Sequence, residues 1–184
     1  MKTAFTSLFL ALGLIGCTSQ QPVTYLVLSP VSGPVYEASG LPLTVGRVAM
    51  PASIDRDFLT TGNGENTMIV SDQAMWAAPL EGQAQTIMAR DLAARLPGHK
   101  VAMPGDHVPE KAMIVSVNVI TFLPYPDHVV LAADWCVTTP VMTAPKEGRV
   151  RIVVPAGAGA AAQAQAMSQA LGQLADQIAR QVAD

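Results

Sequence analysis

Residues 112–138 read AMIVSVNVITFL, then PYPD, then HVVLAADWCVT, and this stretch decides the fold. In the first segment Ile114, Ser116, Asn118 and Thr121 interleave with Val115, Val117, Val119 and Phe122, the period-two pattern of a strand with one face buried. Pro124-Tyr125-Pro126-Asp127 is turn chemistry, and residues 128–138 form a second strand-like run. Two such runs joined by a tight turn predict an antiparallel hairpin.

On the C-terminal side, residues 148–154 (GRVRIVV) predict one more strand. Residues 157–183 then carry Met167, Leu171, Leu174, Ile178 and Val182 at helical spacing, with Gln169, Gln173, Asp176, Gln177, Arg180 and Gln181 between them. That is an amphipathic helix of roughly 20 residues suited to packing on a sheet.

On the N-terminal side, residues 80–96 predict a helix in which Leu80, Ala84, Met88, Leu92 and Leu96 recur every fourth position beside Ile87. Gln83, Gln85, Arg90 and Arg95 fall mainly off that stripe, Pro79 suits the helix start and Pro97-Gly98 ends it. Short strands are predicted at residues 24–28, 43–50, 68–71 and 100–103. Residues 29–42 read as a Ser/Gly/Pro-rich loop, and residues 52–67 as an exposed, turn-rich connection. No internal repeat or linker divides the chain. The expectation is one α+β domain over residues 23–184, a mainly antiparallel sheet with two amphipathic helices packed on it.

The first residues have a different character. Met1-Lys2-Thr3 precedes an uncharged apolar run over residues 4–16 that closes on Leu14-Ile15-Gly16-Cys17. A basic start, a short apolar stretch and small residues at the cut form a secretory signal peptide over residues 1–16. The run falls short of the roughly 20 residues that span a bilayer. Leu-Ile-Gly-Cys resembles a bacterial lipobox, in which the Cys sulfur takes a diacylglyceryl group and becomes the new N-terminus. Residues 17–22 then read as a polar tether. Thr18 is not the Asp that commonly holds such proteins at the inner membrane, so the expected address is the outer membrane, facing the periplasm.

The chain of 184 residues is half hydrophobic, 14% charged and has a formal net charge of -3, which excludes a disordered chain and offers no basic cluster for nucleic acid or anionic lipid. If lipid consumes Cys17, Cys136 has no intramolecular partner, and it reads as a buried, inert thiol.

Catalytic and cofactor chemistry find little support. His99, His107 and His128 lack metal-ligand spacing and read as solvated loop residues. No nucleophile elbow, phosphate loop or dinucleotide fingerprint occurs. Gly157-Ala158-Gly159 lacks the remaining parts of a phosphate site and reads as a helix lead-in. Asp55 and Asp57 read as a solvated turn, and the dispersed methionines as core filler.

Several motifs, in order, resemble the ABC-type transport auxiliary lipoproteins of the PqiC/YmbA type, subunits of MCE-type lipid transport systems. After the lipobox come Tyr25-Leu26-Val27-Leu28, residues 45–52 followed by Ile54-Asp55-Arg56, and Trp76-Ala77-Ala78-Pro79-Leu80. Arg95-Leu96-Pro97-Gly98, Leu131-Ala132-Ala133-Asp134-Trp135 and the Ala-Leu-rich pattern of residues 170–179 complete the series. The loop Asp55-Arg56-Asp57-Phe58-Leu59 departs from the family's Asp-Arg-Pro-Gln-Ile form.

The resemblance implies a protein without catalytic activity or cofactor, lipidated at Cys17. It would dock on a periplasmic MCE-domain protein and, through it, serve an inner-membrane permease and ATPase, with self-association around the partner's symmetry axis as a further expectation. Loops held by a rigid scaffold concentrate contacts, which makes residues 53–66, with Asp55 and Arg56, the candidate partner-contact loop. Trp76 and Trp135 read as core residues. Other readings are an auxiliary lipoprotein of a different ABC exporter, a stand-alone periplasmic lipid-binding lipoprotein, which needs an apolar pocket, and a secreted hydrolase, which needs a nucleophile-base pair.

Overall fold

A computed structural model describes residues 22–139 and 144–184. The hairpin is its centre. Strand β6 (Met113–Pro124) pairs antiparallel with β7 (His128–Thr138), from Ile114 opposite Thr138 to Pro124 opposite Val129, with a register shift between Val119 and Thr121. Strand β8 (Lys146–Pro155) extends the sheet on the far side of β7, again antiparallel.

The other side of β6 is parallel. Strand β2 (Leu43–Ala49) runs alongside β6 and the two-residue β5 (Val101–Ala102), giving the order β5-β2-β6-β7-β8. Parallel neighbours need a long crossover, usually a helix, and α1 (Leu80–Arg95) lies between them in sequence. The α+β class and the two packed helices therefore hold, while the sheet is mixed rather than mainly antiparallel.

A second, three-stranded sheet has the order β1-β4-β3: β1 (Thr24–Leu26) lies parallel to β4 (Met68–Trp76), and β3 (Phe58–Gly62) lies antiparallel to it. Strand β3 corrects the reading of residues 52–67 as one long connection. The turn signals there are real but bracket a strand: Asp55-Arg56-Asp57 leads into it, and residues 63–67 turn out of it, closed by the Asn63 N–H bonding the Thr67 carbonyl at 2.9 Å. Phe58-Leu59-Thr60-Thr61 has the bulky and β-branched character of a strand, but so short a run is masked by its flanks.

Helix α1 buries Leu80, Ala84, Ile87, Met88 and Leu92. Helix α2 (Ala160–Ala183) begins three residues later than the sequence lead-in, after Gly159 with φ 92°. That left-handed conformation suits glycine. Its stripe of Met167, Leu171, Leu174 and Ile178 is almost wholly shielded from solvent.

The helices touch each other and pack on β2, β7 and β8. They meet one sheet face, made of Val115, Val117 and Val119, then Ala133, Trp135 and Val137, then Val150 and Ile152. The Trp135 ring lies over Gly148, where a Cβ would stand 2.6–2.9 Å from the indole. A glycine on the neighbouring strand thus makes room for the largest side chain of the sheet. Trp76 is likewise buried at the end of β4.

Candidate functional site

The sheet face turned away from the helices carries an open concavity with charged residues on its floor. Strand register places Ser116, Cys136 and Glu147 in one row and Asn118, Asp134 and Arg149 in the next. With Arg47 and Ala49 from β2 they line an open groove of about 680 Å³. Period-two geometry requires this: residues that alternate with the buried valines of β6 and their register partners must face outward.

The floor is organised by charge. Arg149 donates from Nε and Nη2 to the two carboxylate oxygens of Asp134, at 2.6 and 3.0 Å. This two-pronged geometry is the strong form of the Arg–carboxylate contact. The bonds from Arg149 hold the Asp134 carboxyl below its ordinary range and push the guanidinium of Arg149 up. On the groove's other side Arg47 reaches Glu81 at the start of α1, at 3.1 Å. No histidine lines the groove. Its two nucleophile types, Ser116 and Cys136, make no hydrogen bond to a basic side chain among the described residues. The arrangement offers fixed charges and small side chains to a ligand surface.

The sequence-predicted residues fare differently. Cys17 lies outside the described residues. Asp55 and Arg56 sit in the tight turn before β3 and do not share a role. Asp55 is half-buried and its Oδ1 accepts a bond from the Glu81 N–H at 3.3 Å, which puts a carboxylate at the open end of α1. Arg56 is exposed and its Nε folds back to the Ser53 carbonyl at 3.2 Å. Asp55 therefore has a part in the scaffold, and Arg56 is the more exposed of the two.

Two further readings are corrected. His99 is not solvated: it is buried beside Gly40 and its Nδ1 lies 3.0 Å from the Leu41 carbonyl, because the chain after α1 folds back under residues 39–41. Cys136 is half-buried in the groove wall rather than enclosed in the core, since Trp135 and Val137 take the inward positions on either side of it. His107 is exposed. His128 stacks on Tyr125, with centroids 4.8 Å apart, and bonds Asp127 at 2.6 Å, which lowers the Asp127 carboxyl. Among the described residues, no three His, Cys, Asp or Glu side chains converge to hold a metal, and no helix is long and apolar enough to cross a membrane.

Sequence reasoning missed two things. The groove pair Asp134 and Arg149 becomes visible only once β7 and β8 are in register. Arg95, placed off the stripe of α1, is buried: it pairs with Asp91 and Asp176 and donates to the carbonyls of Val31, Asp91 and Gly172. The available signal was Asp91 four residues before it on the same helix face.

The described residues form a single mixed α+β domain whose outer sheet face carries an open, charged groove. The family comes from the sequence: a profile of the ABC-type transport auxiliary lipoprotein component matches residues 25–179, and the chain belongs to that family. Two crystal structures share the fold. One, described as an uncharacterized protein, is 17% identical with a TM-score of 0.73, covering 88% of this chain and 99% of its own. The other, a Xanthomonas campestris protein of the DUF330 family, is 15% identical with a TM-score of 0.69, covering 87% of this chain and 94% of its own. No curated protein sequence matches the chain.

Proposed function

We propose that this chain is a non-enzymatic lipoprotein, anchored through Cys17 in the outer membrane and facing the periplasm, which docks on the MCE-domain protein of an intermembrane lipid transport system. The observation that carries the reading is family membership over residues 25–179 directly behind Leu14-Ile15-Gly16-Cys17. The groove supports it from the chemistry side. Fixed charges on a rigid sheet and the absence of a base beside Ser116 or Cys136 suit recognition better than turnover. Arg47 and Arg149 supply the polar contacts and the exposed Arg56 lies on a separate turn, so the sheet face is the favoured docking surface.

The test is photo-crosslinking in the native envelope from a benzoylphenylalanine placed at Arg149 and, separately, at Arg56. An adduct with an MCE-domain protein from position 149 supports the reading, and one from position 56 alone moves the surface to the turn. Adducts only with components of a different ABC exporter would replace the partner, since membership of the family by itself fixes only an ABC-type transport system.

A further inference from the structure

The second sheet carries an exposed apolar arm, the β3–β4 hairpin. Met68, Ile69 and Val70 of β4 are 50%, 55% and 48% exposed, and Tyr25 of β1 is 66% exposed. Strand β1 pairs with β4 only at Ala74–Trp76, so the β1-side edge of β4 from Met68 to Gln73 has no strand partner among the described residues. The arm is fixed at both ends: at its base the Trp76 N–H bonds the Asp57 carbonyl at 2.7 Å, and at its turn end Gly62, opposite Met68, is seated against the Tyr125 ring.

The direction of this arm matters because β1 is parallel to β4. Thr24 lies opposite Ala74, so the chain enters β1 from the end of the sheet where Met68 lies. The register shift between Phe58 and Thr60 crowds residues 71–74, so from Met75 to Met68 β4 runs beside only Phe58 to Gly62, about 13 Å. From Cys17 to Thr24 the chain can reach at most about 25 Å. If acyl chains are attached at Cys17, the bilayer lies within that reach of Thr24, and the chain leaves β1 toward it on the side where the arm lies.

We infer that the outer face of the β3–β4 arm, through Ile69 together with Tyr25, rests on the lipid surface that holds the Cys17 anchor; Met68 and Val70 alternate to the other face, beside the buried Thr60 and Gly62. This rests on the lipidation in the proposed function. The chemistry fits the headgroup–acyl boundary. Exposed aliphatic side chains gain by leaving water, and a tyrosine has an apolar ring and a wet tip. The unpaired edge of β4 bars deep insertion, since hydrocarbon cannot satisfy its backbone groups. The arm's acidic residues, Glu65 and Asp72, are repelled by anionic lipid, so contact is apolar and needs no anionic headgroup.

The test uses the full mature lipoprotein with Cys136→Ser, reconstituted in phosphatidylcholine vesicles. A bimane label is placed at Ile69→Cys, Tyr25→Cys or, as control, Glu147→Cys on the outer sheet face. With acyl-brominated phosphatidylcholine, the labels at 69 and 25 should lose several-fold more fluorescence than the label at 147. Equal, weak quenching at all three positions in protein that floats with vesicles overturns the apposition alone. Shielding of position 69 from aqueous iodide without bromine quenching, and only at high protein density, would show that a second copy covers the arm and also overturns it. Failure of the wild-type chain to float would overturn anchoring and apposition together.

Discussion

Arg95 of α1 and Asp176 of α2, 81 residues apart in sequence, form an ion pair in which the arginine is fully buried. The same guanidinium donates at 3.0 Å to the carbonyls of Val31 and Asp91 and at 3.1 Å to that of Gly172. Asp91 in turn accepts from the Val31 N–H at 2.9 Å. One side chain thus ties both helices to the strap between β1 and β2.

Removing one partner of such a buried network leaves the others uncompensated. Arg95→Ala should cost about 3–5 kcal/mol of unfolding free energy, read by urea denaturation. Arg149→Ala on the outer face should leave the unfolding midpoint nearly unchanged. Equal effects of the two substitutions would show that the buried network does not hold the helices together.

The contact of Trp135 with Gly148 makes a steric prediction. A Cβ at position 148 would stand 2.6 Å from the indole, and the ring is packed in the core. Gly148→Ala should therefore cost about 1–3 kcal/mol through overpacking. It should also shift the near-ultraviolet signal of Trp135. An unchanged midpoint would show that the ring has room to move.

Asp91 predicts a pH dependence of defined sign. Burial raises its carboxyl above the ordinary 3.8, outweighing the Val31 N–H and Arg95, while Asp176 adds to the rise. The folded state then binds the proton over the window between the ordinary value and the raised one. The contribution of Asp91 to stability is greatest below that window and falls as pH rises through it. Asp91→Asn keeps an acceptor for the Val31 N–H and cannot titrate. The stability of the variant relative to wild type should therefore improve between about pH 3 and about pH 7, measured by urea unfolding at each pH. A relative stability that stays level or worsens would show that the folded value is not raised.

Asp55 and Arg56 should separate. Asp55→Ala removes a carboxylate from the start of α1 and should cost about 0.3–1 kcal/mol. Arg56→Ala should leave the thermal midpoint in place. A midpoint loss in Arg56→Ala as large as that of Asp55→Ala would make the whole turn structural.

What could be read from the sequence follows from where the physics is local. The β6–β7 hairpin and both helices announce themselves by period, because each buries one face: Val115, Val117 and Val119 alternate, and Leu171, Leu174 and Ile178 recur at helical spacing. Strand β3 escaped because Phe58-Leu59-Thr60-Thr61 is too short to outweigh the turn residues on both sides. The parallel pairing of β2 with β6 escaped because it depends on α1 crossing over, a tertiary event. For the same reason Arg95 looked like a surface cation: its partners, Val31, Gly172 and Asp176, come from distant parts of the chain. The groove pair Asp134 and Arg149 needed the β7–β8 register. Asp55 was singled out from the sequence as a contact residue and the structure gives it a place in the scaffold.

The account rests most directly on what happens at Leu14-Ile15-Gly16-Cys17. The measurement is the mass of the mature N-terminal peptide, taken together with separation of inner and outer membranes. The predicted result is a chain beginning at Cys17, heavier by a diacylglyceryl group and its acyl chains, that sediments with the outer membrane and is lost from it in Cys17→Ser. A mature chain that begins elsewhere, carries no lipid and remains in the soluble fraction would contradict the account.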